Sequence, residues 1–343
     1  MTIPTRFLAL TGGALLALTA CSGSTDAAPT TAPSQAPQTT AASSAPAASA
    51  SEAPASEAAS QAPATAAGPI TIGAFNFTES QILAELYAGV LQAAGIETSI
   101  VQSTNREVLE PALEAGEVQV VPEYLSTFSA FINAKVNGPD AVSVANNSTE
   151  RTLDATQTLA NPLGISLLEP SPAQDVNAFA VTAEFAKANN LATLSDLARW
   201  SRKNALRLGG PPECPKRPFC QPGLESAYGM KIAEFVPLDA GGPLTKTAIN
   251  QGSVDVGLVF SSDGSVADLG FVVLEDDATL QNVDNVVPAV LTTAATPDVV
   301  AALNSLSAVL TTEDLVRMNK AVDIDRALAA DVAAEFLAGK GLG

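Results

Sequence analysis

The stretch Ile70–Val121, ITIGAFNFTESQILAELYAGVLQAAGIETSIVQSTNREVLEPALEAGEVQVV, decides the fold. Ile70–Gly73 is a short apolar run and reads as a buried strand. Thr78 stands where a helix N-cap belongs, and Ile82, Leu83, Leu86, Val90 and Leu91 then recur on one helical stripe as far as Ala94. Gly95 stops that helix. Glu97–Val101 reads as a second strand, residues 105–115 as a second helix and Val118–Val121 as a third strand. The order strand–helix–strand–helix–strand predicts an α/β unit with a parallel sheet and right-handed crossovers.

Working toward the C-terminus, helices are expected at 125–134 and 148–161, and strands at Ser166–Leu168 and Ala178–Thr182. The alternation then begins again. Helix Ser195–Trp200, strands Arg207–Leu208 and Glu234–Val236, helix Leu244–Gln251 and strand Val254–Phe260 make a second unit. Phe271–Leu274 and Val286–Leu291 are further strands. Three helices close the chain at 297–310, 312–321 and 325–338, with Thr312 as an N-cap. Two α/β units predict two lobes with a cleft between them. Ligands of open α/β sheets bind beyond the carboxyl ends of the strands. Those ends place Phe75-Asn76-Phe77-Thr78, Glu123-Tyr124 and Ser261-Ser262-Asp263 at the cleft.

Toward the N-terminus the reading changes character. Arg6 followed by the apolar run Phe7–Leu18 predicts a secretory signal peptide over residues 1–20, too short to span a bilayer comfortably. The sequence Leu18-Thr19-Ala20-Cys21 resembles a bacterial lipobox. That resemblance implies cleavage before Cys21 and acylation of its thiol; the alternative is an ordinary signal peptide with a stray cysteine. Residues 22–68 are almost entirely Ala, Ser, Thr, Pro and Gln with a few acids, and contain no aromatic residue. Such a segment buries too little apolar area to offset its chain entropy. Residues 21–68 are therefore expected to be a lipidated cysteine and a disordered tether reaching roughly 40 Å. The protein is expected on the outer face of the cell membrane, anchored by lipid alone.

Composition excludes several function classes. A net charge of −19 disfavours a nucleic-acid partner. The chain contains no histidine, which removes Ser-His-Asp and Cys-His catalysis and histidine-ligated metals. Ser261, Ser262, Asp263 and Lys246 lack a Ser-x-x-Lys or Gly-x-Ser-x-Gly context, so no enzyme is expected. Asp263-Gly264 lacks the further acids of a calcium loop and reads as a turn. No metal and no cofactor are expected. Besides Cys21 the chain has only Cys214 and Cys220. An exported protein meets an oxidising environment, so these two are expected to pair. Two thiols alone fall short of a metal site, and their spacing is not the C-x-x-C of redox-active pairs.

Several segments together carry a family resemblance: Gly73–Glu79 with Ile82–Tyr87, Pro122-Glu123-Tyr124 with Thr127, Tyr228-Gly229 with Glu234–Asp239, Gly252–Val256 running to Phe260–Gly264, Val273–Asp277, Asn285–Pro288 and Val332–Leu337. In this order they resemble the substrate-binding proteins of glycine betaine/choline/carnitine ABC importers, binders of quaternary-amine osmoprotectants. The resemblance covers nearly all of residues 70–343. It implies a two-lobed periplasmic-binding-protein fold of type II, with two crossovers and a ligand cleft. The first lobe is expected over 70–174 plus 266–343, the second over 175–265. It also implies a small-molecule ligand, an ABC permease and its ATPase as partners, and a monomeric binding protein.

A quaternary ammonium donates no hydrogen bonds and is held by aromatic faces, with carboxylates assisting. The family commonly has Lys where this chain has Phe75, Gln at Ser80, Tyr at Val121 and Tyr at Asp284. With only three Tyr and one Trp in the chain, and with Tyr87 and Trp200 reading as packing residues, the candidate ligand-binding set is Phe75, Phe77, Thr78, Tyr124, Arg217, Phe219, Ser262, Asp263 and Asp284. Of Phe75 and Phe77, one is expected in the core and one in the cleft. Glu123 is read as capping the following helix. The expected ligand is a betaine-like or choline-like amine; the alternatives are a neutral or aromatic small molecule, or a sensor lipoprotein that works without a permease.

Overall fold

The computed structural model describes residues 68–343. The expected signal peptide, Cys21 and nearly all of the expected tether lie outside the described residues. The first lobe opens with β1 (Ile70–Phe75), α1 (Thr78–Ala93), β2 (Thr98–Ser103), α2 (Arg106–Glu114), β3 (Val120–Tyr124), α3 (Leu125–Asn137), α4 (Thr149–Ala160) and β4 (Ile165–Leu167). The chain crosses to the second lobe, which holds β5 (Asn177–Thr182), α5 (Ala183–Asn189), α6 (Leu194–Ser201), β6 (Leu206–Gly210), α7 (Gln221–Tyr228), β7 (Ile232–Pro237), α8 (Pro243–Asn250), β8 (Val256–Phe260) and β9 (Phe271–Val273). It crosses back into β10 (Val286–Leu291) and ends in α9 (Pro297–Ser307), α10 (Thr312–Asp323) and α11 (Ala329–Lys340).

Each lobe is built on a five-stranded sheet, ordered β2-β1-β3-β10-β4 in the first and β7-β6-β8-β5-β9 in the second. The three leading strands of each are parallel, as expected from their helical connections. The fourth strand in each sheet is the one that has just arrived from the other lobe, and it runs antiparallel to its neighbours. The sheets are therefore mixed, where the sequence predicted a parallel one. A chain that leaves a sheet and returns from the far side enters it in the opposite sense.

Strand β1 shows why the first unit folds as it does. Ile70, Ile72 and Ala74 face the core shared with α1, while Phe75 faces a second core under α2 and α3. This is the two-residue alternation of a strand covered on both faces. Gly73 is required on the α2 side, since a Cβ there would meet Leu109 Cδ1 at 2.6 Å. Helix α1 is buried around most of its girth because α9, α10 and α11 pack on the side away from the sheet. Its first turn is capped differently from the expectation. Phe77 holds the N-cap position, and Thr78 instead donates to Asp323 Oδ1 (2.6 Å). Likewise Thr311, not Thr312, caps α10 in a capping box with Asp314, and the Thr312 hydroxyl accepts from Gln174 N.

The two crossings run side by side. Ser171 N donates to Val286 O (2.8 Å), Val286 N to Ala173 O (3.0 Å) and Asp175 N to Asp284 O (3.0 Å). The first crossing runs between β4 and β5. The second comes later than the sequence placed it: β9 pairs with β5, and Val266 and Phe271 are in the core of the second lobe. The second lobe therefore extends past 265 to the crossing near Asp284, and residues 266–283 do not join the first. The sequence also missed α5 and α7, short helices without a repeated apolar stripe. No single helix among the described residues is long and apolar enough to cross a membrane.

Candidate functional site: the cleft between the lobes

Both sheets turn the carboxyl ends of their leading strands toward the same cavity, about 290 Å³ in volume. From the first lobe come Phe75 and Phe77 at the end of β1, Tyr124 at the end of β3, Arg106 and Glu107 at the start of α2, and Thr127 and Phe131 on α3. From the second come Phe260 at the end of β8 and Glu213, Arg217, Pro218 and Phe219 of the loop after β6. Asp175 and Asp284 enter from the two crossings.

The aromatic rings form a connected wall. Phe77 lies 6.0 Å from Phe75, 6.2 Å from Tyr124 and 5.4 Å from Phe260, centroid to centroid. The last contact joins the lobes. Phe75 and Phe77, expected to divide between core and cleft, both line the cavity, although Phe75 is buried and belongs also to the core beneath it. The turn between them is fixed by Ser80, whose hydroxyl accepts from Phe75 N (2.8 Å).

Arg106 is buried and chelated by Glu123. Its Nε donates to Glu123 Oε1 (2.9 Å), its Nη2 to Glu123 Oε2 (2.6 Å) and to Thr127 Oγ1 (3.0 Å). Burial alone would lower the Arg106 pKa, but Glu123 outweighs it and raises it. The guanidinium lies 5.7 Å from the centroid of Phe75. Glu123, expected as a helix cap, is thus the partner of Arg106. At the mouth, Arg217 reaches from the second lobe to Glu107 of the first, Nε to Oε1 at 3.2 Å and Nη2 to Oε2 at 2.9 Å. Arg217 lowers the Glu107 pKa against the opposing effect of partial burial.

The carboxyls of the crossings are treated unequally. Asp284 accepts from Ser126 N (2.6 Å) and Thr127 N (3.2 Å) at the start of α3. Burial pushes its pKa up to about 7, against the pull of Arg106 and of those two amides. Asp175 accepts from Ser262 N (3.1 Å) and Ser261 Oγ (3.3 Å). Burial, reinforced by Glu79, holds it well above the ordinary carboxylate range. Glu79 lies behind the wall, accepting from the Tyr124 hydroxyl (2.8 Å) and Asn319 Nδ2 (2.7 Å), and burial raises it too.

The structure brings together Phe75, Phe77, Tyr124, Arg217, Phe219 and Asp284 of the expected set. Thr78, Ser262 and Asp263 stand apart, in a second depression on the other side of the Phe77–Phe260 pair. There Lys246 pairs with Asp263 (2.8 Å) and Asp323 (3.4 Å), which consumes the charge that suggested a site at Asp263. The cystine Cys214–Cys220 is formed. The Phe219 carbonyl accepts from Asn177 Nδ2 (3.2 Å) and Gln281 Nε2 (2.9 Å), which sets the loop at the cavity edge. Trp200 packs edge-on against Phe185 in the second lobe, and Tyr87 is in the core of the first.

Sequence reasoning missed Arg106, Phe131, Asp175 and Phe260. Phe260 ends a predicted strand, so the rule that selected Ser261–Asp263 also pointed to it. Asp175 and Arg106 carried no local signal, because what singles them out is burial.

The OpuAC family, described as the substrate binding domain of ABC-type glycine betaine transport systems, matches residues 68–339. The glycine betaine-binding protein YehZ of Escherichia coli is 27% identical over 285 residues, covering 80% of this chain and 92% of that protein. A glycine-betaine-binding protein of Pseudomonas aeruginosa is 27% identical over 79% of this chain and 88% of its own. Among solved structures, apo YehZ superposes with a TM-score of 0.55 at 26% identity, covering 81% of this chain and all of that one. A glycine betaine/carnitine/choline ABC transporter structure gives 0.60 at 24% identity over 80% of this chain and 99% of its own, which supports the two-lobed fold. This chain belongs to the family of substrate-binding domains of ABC-type glycine betaine transport systems, extracytoplasmic binding proteins that are not enzymes.

Proposed function

We propose that the cavity captures a small quaternary amine of the betaine or choline type and that closure of the lobes presents it to an ABC permease and its ATPase. The observation that carries this reading is the ring cluster of Phe75, Phe77, Tyr124 and Phe260 facing the Asp175 carboxyl across one cavity. A cation without hydrogen-bond donors is held by such faces, at about 0.5–2 kcal/mol per ring according to desolvation. The family membership and the names of the relatives support the ligand class.

The same reading places the protein on the outer face of the cell membrane through lipid on Cys21, as a monomer. A Cys21→Ala change should release it from membranes. Titration calorimetry with glycine betaine, choline, carnitine and proline betaine tests the ligand. Saturable heat with one of them supports the reading, and no heat with all four sinks it.

A second reading is favoured by one feature. Both arginines at the cavity are already paired, Arg106 with Glu123 and Arg217 with Glu107 and Glu213. A wall dominated by phenylalanine, with both arginines committed and Lys216 of the cystine loop as the lining cation without an ion pair among the described residues, also suits a neutral or aromatic compound. A sensor role without a permease would keep ligand binding but leave uptake intact when the gene is deleted.

A further inference from the structure

We propose that Asp175 is the counter-charge for the ligand's cation and, with Glu79 behind it, holds a proton in the ligand-free cleft that capture of the cation releases. The inference rests on the quaternary-amine reading of the cavity.

Three carboxyls surround this end of the cleft, each at most 4% exposed: Glu79, Asp175 and Asp284. None makes a salt bridge among the described residues. Burying an ionised carboxylate without a cation is costly, so such a group takes a proton or finds a positive charge. Asp284 is partly compensated, by Arg106 and by two amides at the start of α3. Asp175 has no such cation. The groups that act on it are Glu79 from α1 and Asp284 from the other crossing, both acidic, and the Tyr124 hydroxyl from β3 is already given to Glu79. Asp263 adds a further acid on the Glu79 side, although Lys246 pairs with it.

Hydrogen bonds join the two uncompensated carboxyls into one unit. Ser262 N donates to Asp175, while Asn319 Nδ2 donates both to Ser262 O (3.1 Å) and to Glu79 Oε2. Two carboxyls in one buried network do not both ionise without a cation nearby. Asp175 faces the cavity and Glu79 does not. A quaternary ammonium against the ring wall supplies the missing charge. The acid O–H bond then breaks, its electron pair stays on the carboxylate, and the proton leaves to solvent. Affinity therefore falls as pH falls.

Calorimetry of choline binding to the whole protein at neutral pH, in phosphate and in Tris, reads the released proton as a difference in observed heat. The expected result is a sizeable fraction of one proton per choline. Asp175→Asn should abolish the release and weaken binding about tenfold, whereas Asp284→Asn should keep the release. Heat independent of buffer, or release lost in Asp284→Asn and kept in Asp175→Asn, overturns the proposal. Choline and glycine betaine both failing to bind would count against the quaternary-amine reading itself. Carbon-13 carboxyl NMR of the ligand-free protein then decides separately: Asp175 titrating well above the ordinary range near ~4 supports the proton-holding pair, and titration within that range overturns it.

Discussion

Phe77 of the first lobe and Phe260 of the second meet with ring centroids 5.4 Å apart and planes 31° apart. This contact separates the aromatic cavity from the depression that holds Thr78 and Asp263 and is one of the places where the lobes touch. Phe77→Leu keeps most of the apolar volume and removes a π face. Affinity for a quaternary amine should fall about 2- to 30-fold, the range of one cation–π contact. Affinity for a neutral apolar probe should change much less. Parallel calorimetric titrations of the two ligands make the comparison.

Arg217 and Glu107 form the latch at the mouth. Both are partly exposed, so the pair is worth at most about 1 kcal/mol. Arg217→Ala should raise the ligand dissociation rate about two- to fivefold with little change in association. The difference should shrink in high salt, where screening weakens the pair in the parent protein. Stopped-flow measurements at two ionic strengths read both effects.

Arg106 and Glu123 are a different case, because both are buried. Glu123→Gln breaks the buried pair and leaves the Arg106 guanidinium with Asp284 and Glu107 as its only nearby acids, and breaking such a pair costs about 3–5 kcal/mol. Denaturant unfolding should show a large loss of stability in the first lobe. Replacing the more exposed Glu107 by Gln should cost far less.

Asp284 gives a pH signature. Its folded-state pKa, about 7, lies above the usual aspartate value of 3.8. The folded state therefore binds a proton that the unfolded state has lost, and this contribution to stability is full below the unfolded value and disappears as pH rises to about 7. Ligand-free protein should melt at higher temperature near pH 5 than near pH 7.5, and Asp284→Asn should reduce the difference without removing it, because Asp175 and Glu79, also raised by burial, act in the same sense. Glu107, Asp196 and Asp314, whose pKa values are lowered, act in the opposite sense but only toward more acid pH.

Replacing Cys214 and Cys220 by serine opens a short loop, at a cost of about 2 kcal/mol in the chain-entropy account. The Phe219 carbonyl would keep its Asn177 and Gln281 donors. Ligand affinity should therefore fall less than melting temperature does, which a thermal scan and a titration on the same variant can check.

The fold was largely legible because α1 carries a helical stripe between the short apolar runs of β1 and β3, and because leading strands aim their carboxyl ends at a shared cleft. That rule pointed to Phe75, Phe77 and Tyr124, which line the cavity. It also pointed to Ser262 and Asp263, but a strand end has two sides, and the Phe77–Phe260 contact leaves these two in the other depression. The second crossing was misplaced because Phe271–Val273 is only three residues long, too short to announce which sheet it joins. Asp175 and Arg106 were invisible because a sequence shows charge but not burial. Only the folded chain shows that Arg106 is neutralised by Glu123 while Asp175 has no cation beside it.

The most direct test is a crystal structure of the protein grown with saturating choline or glycine betaine. The account predicts density for the trimethylammonium group in van der Waals contact with Phe77, Tyr124 and Phe260, with the Asp175 carboxyl beside it. An empty cavity at saturating ligand, or ligand seated instead in the depression between Thr78 and Asp263, would contradict it.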